Sequence, residues 1–270
     1  MKIGIFDSGL GGLIIAHSLI NKLPEYDYLY LGDTARVPYG NRSQETIYQF
    51  TEEAVRFMFD HDCELVIIAC NTASAEALRQ IQQQYLPAHF PDRKVLGVLI
   101  PAAEEAAAKT KNKRIGVLAT VSTVNSKAFV REVEKLLPGS QVFQQASPLL
   151  VPLVENDALK WAEPILREYL SPLLQKNIDT LILGCTHYPV LKKQIEEIVG
   201  RGINVISQDE VVPAKLGDYL SRHREIDSKL TKRSRREFFV TDKTEGVASL
   251  GTKLFGENIE LQLAHLNQRS

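Results

Sequence analysis

No apolar stretch in these 270 residues approaches the roughly 20 that a bilayer-crossing helix needs; runs such as 65–69 and 181–183 break off after a few positions. No membrane span is expected. The opening MKIGIFDSG lacks the basic n-region, apolar h-region and small-residue cleavage site of a secretory signal, so the expected location is the cytoplasm. Cysteine is scarce. The three residues at 63, 70 and 185 form neither an even disulfide framework nor a CxxC redox or zinc pair, and they read as free thiols in a reducing compartment. An excess of either charge is also missing. A formal charge of −1 gives no global attraction for nucleic acid or anionic lipid, and neither is expected as a partner.

What is present is a 44% hydrophobic, 24% charged chain that can bury a core as one large or two small domains. Short runs rich in Val, Ile and Leu at 2–6, 28–31, 64–69, 94–99, 114–119, 180–183 and 204–206 read as buried strands. Between them lie helix-length stretches with periodic apolar positions, for example 43–60, 74–85, 126–137 and 157–175. Strands alternating with such helices imply an α/β architecture with mostly parallel sheet.

The chain also resembles itself. Ile3-Gly4-Ile5-Phe6-Asp7-Ser8 aligns with Ile115-Gly116-Val117-Leu118-Ala119-Thr120, and Leu65-Val66-Ile67-Ile68-Ala69-Cys70-Asn71-Thr72 with Thr180-Leu181-Ile182-Leu183-Gly184-Cys185-Thr186-His187. The offsets, 112 and 115 residues, nearly agree. Buried parallel strands look alike, so chance similarity is the plain alternative. The functional reading is two pseudo-symmetric halves, each sending a cysteine to the C-terminal end of a strand, where open parallel sheets bind their ligands.

Each of these thiols precedes a helix-compatible segment. Free backbone N–H groups and the positive end of a helix there are expected to favour the thiolate. Either cysteine alone reads equally well as a small buried hydrophobe; their equivalent places in a repeat favour a shared site. Cys63 has no counterpart and reads as a spectator. Cys185-Thr186-His187 supplies thiolate and imidazole, both zinc ligands, but only Cys70 offers a further soft ligand and no finger or zincin spacing exists, so no metal is expected.

Ile3-Gly4-Ile5-Phe6-Asp7-Ser8-Gly9-Leu10-Gly11-Gly12 is a strand entering a glycine turn, yet it is neither GxGxxG nor a P-loop, and Asp7 would repel phosphate. A carboxylate there suits a cation such as an amino-acid ammonium, with Ser8 and loop amides completing a pocket. A second polar loop, residues 31–40, carries Pro38, Tyr39 and Gly40 after another strand. In the second half Thr120 and Thr123 follow a strand. Glu155 either faces a cleft or caps a helix near Asp157.

FDSGLGG at 6–12, YLGDTARVPYG at 30–40, ACNTASA at 69–75, GVLATVSTV at 116–124, PLVE at 152–155 and GCTHYP at 184–189 together resemble the glutamate racemases of the aspartate/glutamate racemase superfamily. The resemblance implies two α/β domains, 1–97 plus 208–270 and 98–207, facing across a cleft. It also implies interconversion of L- and D-glutamate to supply D-glutamate for peptidoglycan, with no cofactor. Carried over, the catalytic thiols are Cys70 and Cys185, with Asp7, His187 and Glu155 tuning or shuttling protons. Substrate binding falls on Asp7, Ser8, Pro38, Tyr39, Gly40, Asn71, Thr72, Thr120, Thr123, Thr186 and His187.

A homodimer is expected, with a monomer as the alternative. Two segments depart from the family pattern: Ser147 stands where many relatives have cysteine, and SQDE at 207–210 replaces an acidic-Ser-Gly segment. Both are expected to affect packing only. A Cys185–His187 hydrolase is a rival activity. The basic stretch 229–236 reads as a solvated helix face or turn, His17 as a packed or interface residue, and Trp161 as helix packing.

Overall fold

The computed structural model describes residues 1–266. The apolar runs form two all-parallel sheets. Their strands are β1 (Lys2–Asp7), β2 (Tyr28–Gly32), β3 (Cys63–Ile68), β4 (Lys94–Gly97), β5 (Arg114–Ala119), β6 (Gln141–Ala146), β7 (Thr180–Gly184), β8 (Asn204–Ile206), β9 (Arg236–Val240) and β10 (Leu261–Leu263). The first sheet runs β10-β9-β2-β1-β3-β4 and the second β6-β5-β7-β8. The order β2-β1-β3-β4 thus recurs as β6-β5-β7-β8, with β9 and β10 added beside β2.

The repeat preserves register as well as order. Ile3 lies opposite Leu65, and Phe6 opposite Ile68, in the first sheet. Their counterparts Ile115 and Leu118 lie opposite Thr180 and Leu183 in the second. Strands β1, β3, β5 and β7 are buried along almost their whole length because helices cover both faces, which is why they read as unbroken apolar runs instead of alternating ones.

The backbone passes from the first sheet to the second at Val98, between β4 and the helix Leu99–Lys109, and returns at Ser207 into the helix Gln208–Arg222. Apolar packing is continuous across this boundary: Ile3, Ile67, Leu118 and Leu183 belong to one buried cluster. Among the described residues, no helix is long and apolar enough to cross a membrane.

Helix boundaries depart from the periodicity in informative ways. Gln44–Asp60 forms as expected, with Ser43 accepting the Thr46 N–H as its cap. The helix expected from residue 74 begins at Asn71, directly after Cys70, and is broken into Asn71–Glu76, Leu78–Gln80 and a π-helical turn Ile81–Tyr85. The 126–137 stretch is two helices, Val121–Ser126 and Ala128–Leu136, separated by Lys127 in the left-handed region at φ 54°. Helix 157–175 reduces to Ala162–Leu174 after a single 3-10 turn, Leu159–Trp161.

One surface reading is corrected and one holds. Trp161 is 61% exposed and is not packed into its helix. The basic stretch is the exposed turn expected, tied down at a few points: the Lys229 ammonium pairs with buried Glu64 at 2.8 Å, the backbone N–H groups of Arg233 and Arg235 donate to Asp27 Oδ1, and Arg236 opens β9. Composition alone could not show that Asp27 and Glu64 wait there as buried acids needing partners. His17 is half-buried, its ring edge-on to Phe255.

Candidate active site

Cys70 lies two residues beyond β3 and Cys185 directly after β7, and both line one cavity of about 340 Å³ between the sheets. That size lies at the small end of the range for small-molecule sites, on the order of 300–1,000 Å³. From the first half the cavity takes Ser8, Pro38, Tyr39, Gly40, Cys70, Asn71 and Thr72; from the second it takes Thr120, Glu155, Cys185, Thr186 and His187. Asp7 and Thr123 are the expected site residues that do not line it. Both are fully buried just beneath its surface.

The close approach of the two halves depends on Gly11. A Cβ there would sit 2.5 Å from both Thr186 Oγ1 and His187 Nδ1, so only glycine lets the first loop reach the turn after β7. Asp7 Oδ2 accepts the Gly9 N–H at 3.1 Å, and Thr186 donates to Asp7 Oδ1 at 3.3 Å. Asp7 therefore ties the two turns together from behind. Burial pushes its carboxyl above the ordinary range, although the His187 charge and these donors oppose the rise. Thr72, Thr120 and Thr123 join the halves elsewhere, their hydroxyls 2.9–3.4 Å apart. Thr123 is thus a structural bridge beneath the cavity.

The two sulfurs have different company. The Cys70 thiol donates to Ser8 Oγ at 3.2 Å, and Sγ accepts the Ala73 N–H at 3.4 Å as the cap of its short helix. Complete burial, with Asp7 adding a negative charge, pushes this thiol up to about 12 despite both hydrogen bonds. The expected thiolate-favouring effect of the helix end is therefore overturned at Cys70: the helix is one and a half turns long, and desolvation outweighs it. Cys185 Sγ instead lies 3.8 Å from His187 Nδ1. His187 Nε2 is 3.1 Å from Glu155 Oε1, a charge pair off the ring N–H direction and not an aligned hydrogen bond. Burial works against the charged ring, but Cys185 and Glu155 outweigh it and push His187 up to about 10. Glu155, last residue of the helix Leu150–Glu155, faces the cleft, which resolves the two readings of its role.

Tyr39 reaches the cavity wall, but its hydroxyl donates to buried Asp33 at 2.5 Å. Asp33 also accepts from Arg36 at 2.6 Å and from Thr241 at 2.7 Å. Thr241, the residue directly after β9, in this way helps hold the loop that carries Pro38–Gly40. The sequence reading missed the apolar wall of Val37, Val121, Pro148, Val151 and Pro152, and it missed Ser147 as a lining residue. For Val151 and Pro152 the available signal was the apolar LLVP run at 149–152, just before Glu155. Among the described residues no group of three His, Cys, Asp or Glu side chains is placed to hold a metal ion.

The sequence profile of the Asp/Glu/hydantoin racemase family matches residues 15–211. The chain is 40% identical over 262 residues to the glutamate racemase of Aquifex aeolicus, covering 96% of each chain. Its fold is similar to that of a glutamate racemase isoform from Bacillus anthracis, with a TM-score of 0.90 and 32% identity over 98% of this chain and 97% of that one. It is also similar to the glutamate racemase of Francisella tularensis solved with D-glutamate, with a TM-score of 0.87 and 34% identity over 98% of both. Covered nearly end to end by relatives at this identity, the chain belongs to the glutamate racemases of the Asp/Glu/hydantoin racemase family.

Proposed function

We propose that this chain interconverts L- and D-glutamate by a two-base mechanism in which Cys70 and Cys185 exchange protons with opposite faces of the α-carbon. The observation that carries this reading is a pair of buried thiols lining one cavity, delivered by equivalent strands of a repeat. Inversion takes a proton from one face and returns one to the other; a single base only exchanges it with retention.

From L-glutamate, Cys185 takes the α-proton while the neighbouring His187 imidazolium balances charge. Cys70, kept as a thiol by its burial, gives its proton to the opposite face and is left as the thiolate. The D-glutamate direction reverses both steps. The carbanion delocalises into the adjacent carboxylate, whose oxygens need preorganised donors. We assign this role to the Thr72 hydroxyl and the backbone N–H groups of the two strand–helix turns, with Ser8 and Asn71 binding the substrate in its ground state. No electron-sink cofactor enters this scheme.

The role we assign is supply of D-glutamate for peptidoglycan in the cytoplasm. Residues 1–97 with 208–270, and 98–207, are the two domains that flank the substrate, and the working form is a homodimer, with a monomer as the alternative. The test is incubation of each enantiomer in D₂O with wild type, Cys70→Ser and Cys185→Ser, following α-deuteration and optical rotation together. Wild type inverts with solvent deuterium in the product. Each serine variant loses inversion by about 10²–10⁴-fold, the usual weight of a positioned acid or base. Wild-type racemisation rates in both variants would sink the mechanism.

The 3.8 Å Cys185–His187 contact also suits a cysteine hydrolase. That reading leaves Cys70 without a part, and an acyl-enzyme mass adduct is its signature.

A further inference from the structure

The segment expected to affect only local packing reaches the site after all. Gln208 opens the helix Gln208–Arg222 and is 1% exposed. Its amide is paired face to face with that of Asn71, the residue after Cys70. Asn71 Nδ2 donates to Gln208 Oε1 at 2.7 Å, and Gln208 Nε2 donates to Asn71 Oδ1 at 2.6 Å. Gln208 Nε2 also approaches the Val98 carbonyl at 3.5 Å. Val98 marks the chain's passage into the second sheet and Gln208 its return. One side chain therefore touches both crossings and the turn that carries a reactive thiol.

Taken alone, such an amide pair has no preferred polarity, because exchanging oxygen and nitrogen on both partners preserves both bonds. The Val98 carbonyl can only accept, so it selects the arrangement with Gln208 Nε2 on its side. Gln208 Oε1 then faces Asn71 Nδ2, and Asn71 Oδ1 is consumed by Gln208. What remains is the second hydrogen on Asn71 Nδ2, which has no acceptor among the described residues, on a residue that lines the cavity.

We propose that Gln208 is a positioning residue that fixes the Asn71 amide with its N–H toward the substrate, so that this edge of the site receives a carboxylate oxygen and not an ammonium. This rests on the racemase reading above. Acting through Asn71, Gln208 governs substrate affinity more than turnover.

The test is a double-mutant cycle on KM and kcat for L-glutamate, using Gln208→Glu, Asn71→Ala and the double variant. Gln208→Glu keeps the size of the side chain but cannot donate to Asn71 Oδ1 or Val98 when ionised. KM is expected to rise about tenfold, the usual effect of losing one hydrogen bond to a charged group, with kcat changed less than about threefold. Asn71→Ala is expected to raise KM similarly, and the double variant no further than either single one. A KM unchanged in Gln208→Glu, a loss confined to kcat, or single effects that multiply in the double variant would each overturn the proposal. If Gln208→Glu does not fold, Gln208→Met takes its place with the same expected cycle. If wild type fails to racemise glutamate, the racemase reading is at fault; the cycle is then read on the calorimetric Kd for L-glutamate, where the same outcomes decide about Gln208.

Discussion

Cys70 and Cys185 occupy the same place in two copies of one strand and turn, yet their neighbours differ in charge. Around Cys70 stand a serine hydroxyl, a backbone N–H and buried Asp7; beside Cys185 stands a histidine whose pKa is raised by Cys185 itself and by Glu155. The backbone repeat delivers two sulfurs to one cavity, and the side chains around them give the two different electrostatic surroundings. A symmetric pair of thiols would start with both protonated or both ionised, and neither state can take and give a proton in one pass. In the two-base mechanism proposed above, this asymmetry is what sets the two faces apart before substrate arrives.

Removing the cation tests this most severely. His187→Asn leaves Cys185 without its charge partner, and kcat/KM is expected to fall by about 10²–10⁴-fold. Because the two enantiomers have equal free energy in water, kcat/KM must fall by the same factor in both directions, while kcat and KM separately need not. Polarimetry from each enantiomer checks both statements. A fall of less than about fivefold would show that His187 is not what distinguishes the two sulfurs.

Gly11→Ala attacks the same contact from the opposite half. Its Cβ would meet Thr186 Oγ1 and His187 Nδ1 at 2.5 Å, so these side chains must shift. Overpacking of this kind costs about 1–3 kcal/mol, and a displaced His187 is expected to lower kcat/KM by about ten- to a hundredfold. Thermal melting and kinetics on the same sample separate the two effects; unchanged activity would mean that the contact yields without moving the imidazole.

Glu155→Gln sharpens the comparison through pH. Glu155 helps raise His187 to about 10, so activity that needs the cation is lost as pH rises through that value. Neutralising Glu155 moves this alkaline limb to lower pH and leaves the rate below about pH 6.5, the ordinary imidazole pKa, little affected. Stability follows the same sign. A raised histidine pKa stabilises the fold fully below about 6.5, and that contribution is lost as pH rises through about 10. The stability gap between wild type and Glu155→Gln, measured by denaturant titration, is therefore expected to close at high pH. An alkaline limb that stays in place would remove Glu155 from the pair.

Much of this arrangement was legible from residues 3–8 and 65–72 and their counterparts at 115–120 and 180–187, because buried parallel strands leave unbroken apolar runs and the repeat places their ends together. Strands β6, β9 and β10 were not legible. Gln141–Ala146 mixes glutamine into an edge strand, and Arg236–Val240 begins inside a basic stretch whose acidic partners, Glu64 and Asp27, lie 165 and 208 residues away in sequence. The thiolate expected at Cys70 failed for a related reason. A helix start shows in sequence, whereas complete burial beside Asp7 is a property of packing. The tie from Gln208 to Asn71 spans 137 positions and left no periodic trace.

Ser147→Cys carries the smallest expected effect and bounds how far the second half tolerates change near its sulfur. Ser147 Oγ lies 2.6 Å from the Tyr188 hydroxyl and donates to the Ala119 carbonyl at 3.1 Å, and Tyr188 directly follows His187. A thiol is a poor donor and acceptor, so both bonds weaken. Tyr188 keeps a second acceptor, the Ser147 carbonyl at 3.3 Å, which is backbone and survives the substitution. The loss is thus about 1 kcal/mol of stability and a drop of a few degrees in Tm for a chain of this size. The Cys185–His187–Glu155 chain itself is untouched, so kcat/KM is expected to stay within about threefold of wild type. A larger fall would mean that Tyr188 steers the imidazole, and that the charged environment of Cys185 extends one residue further than its direct contacts.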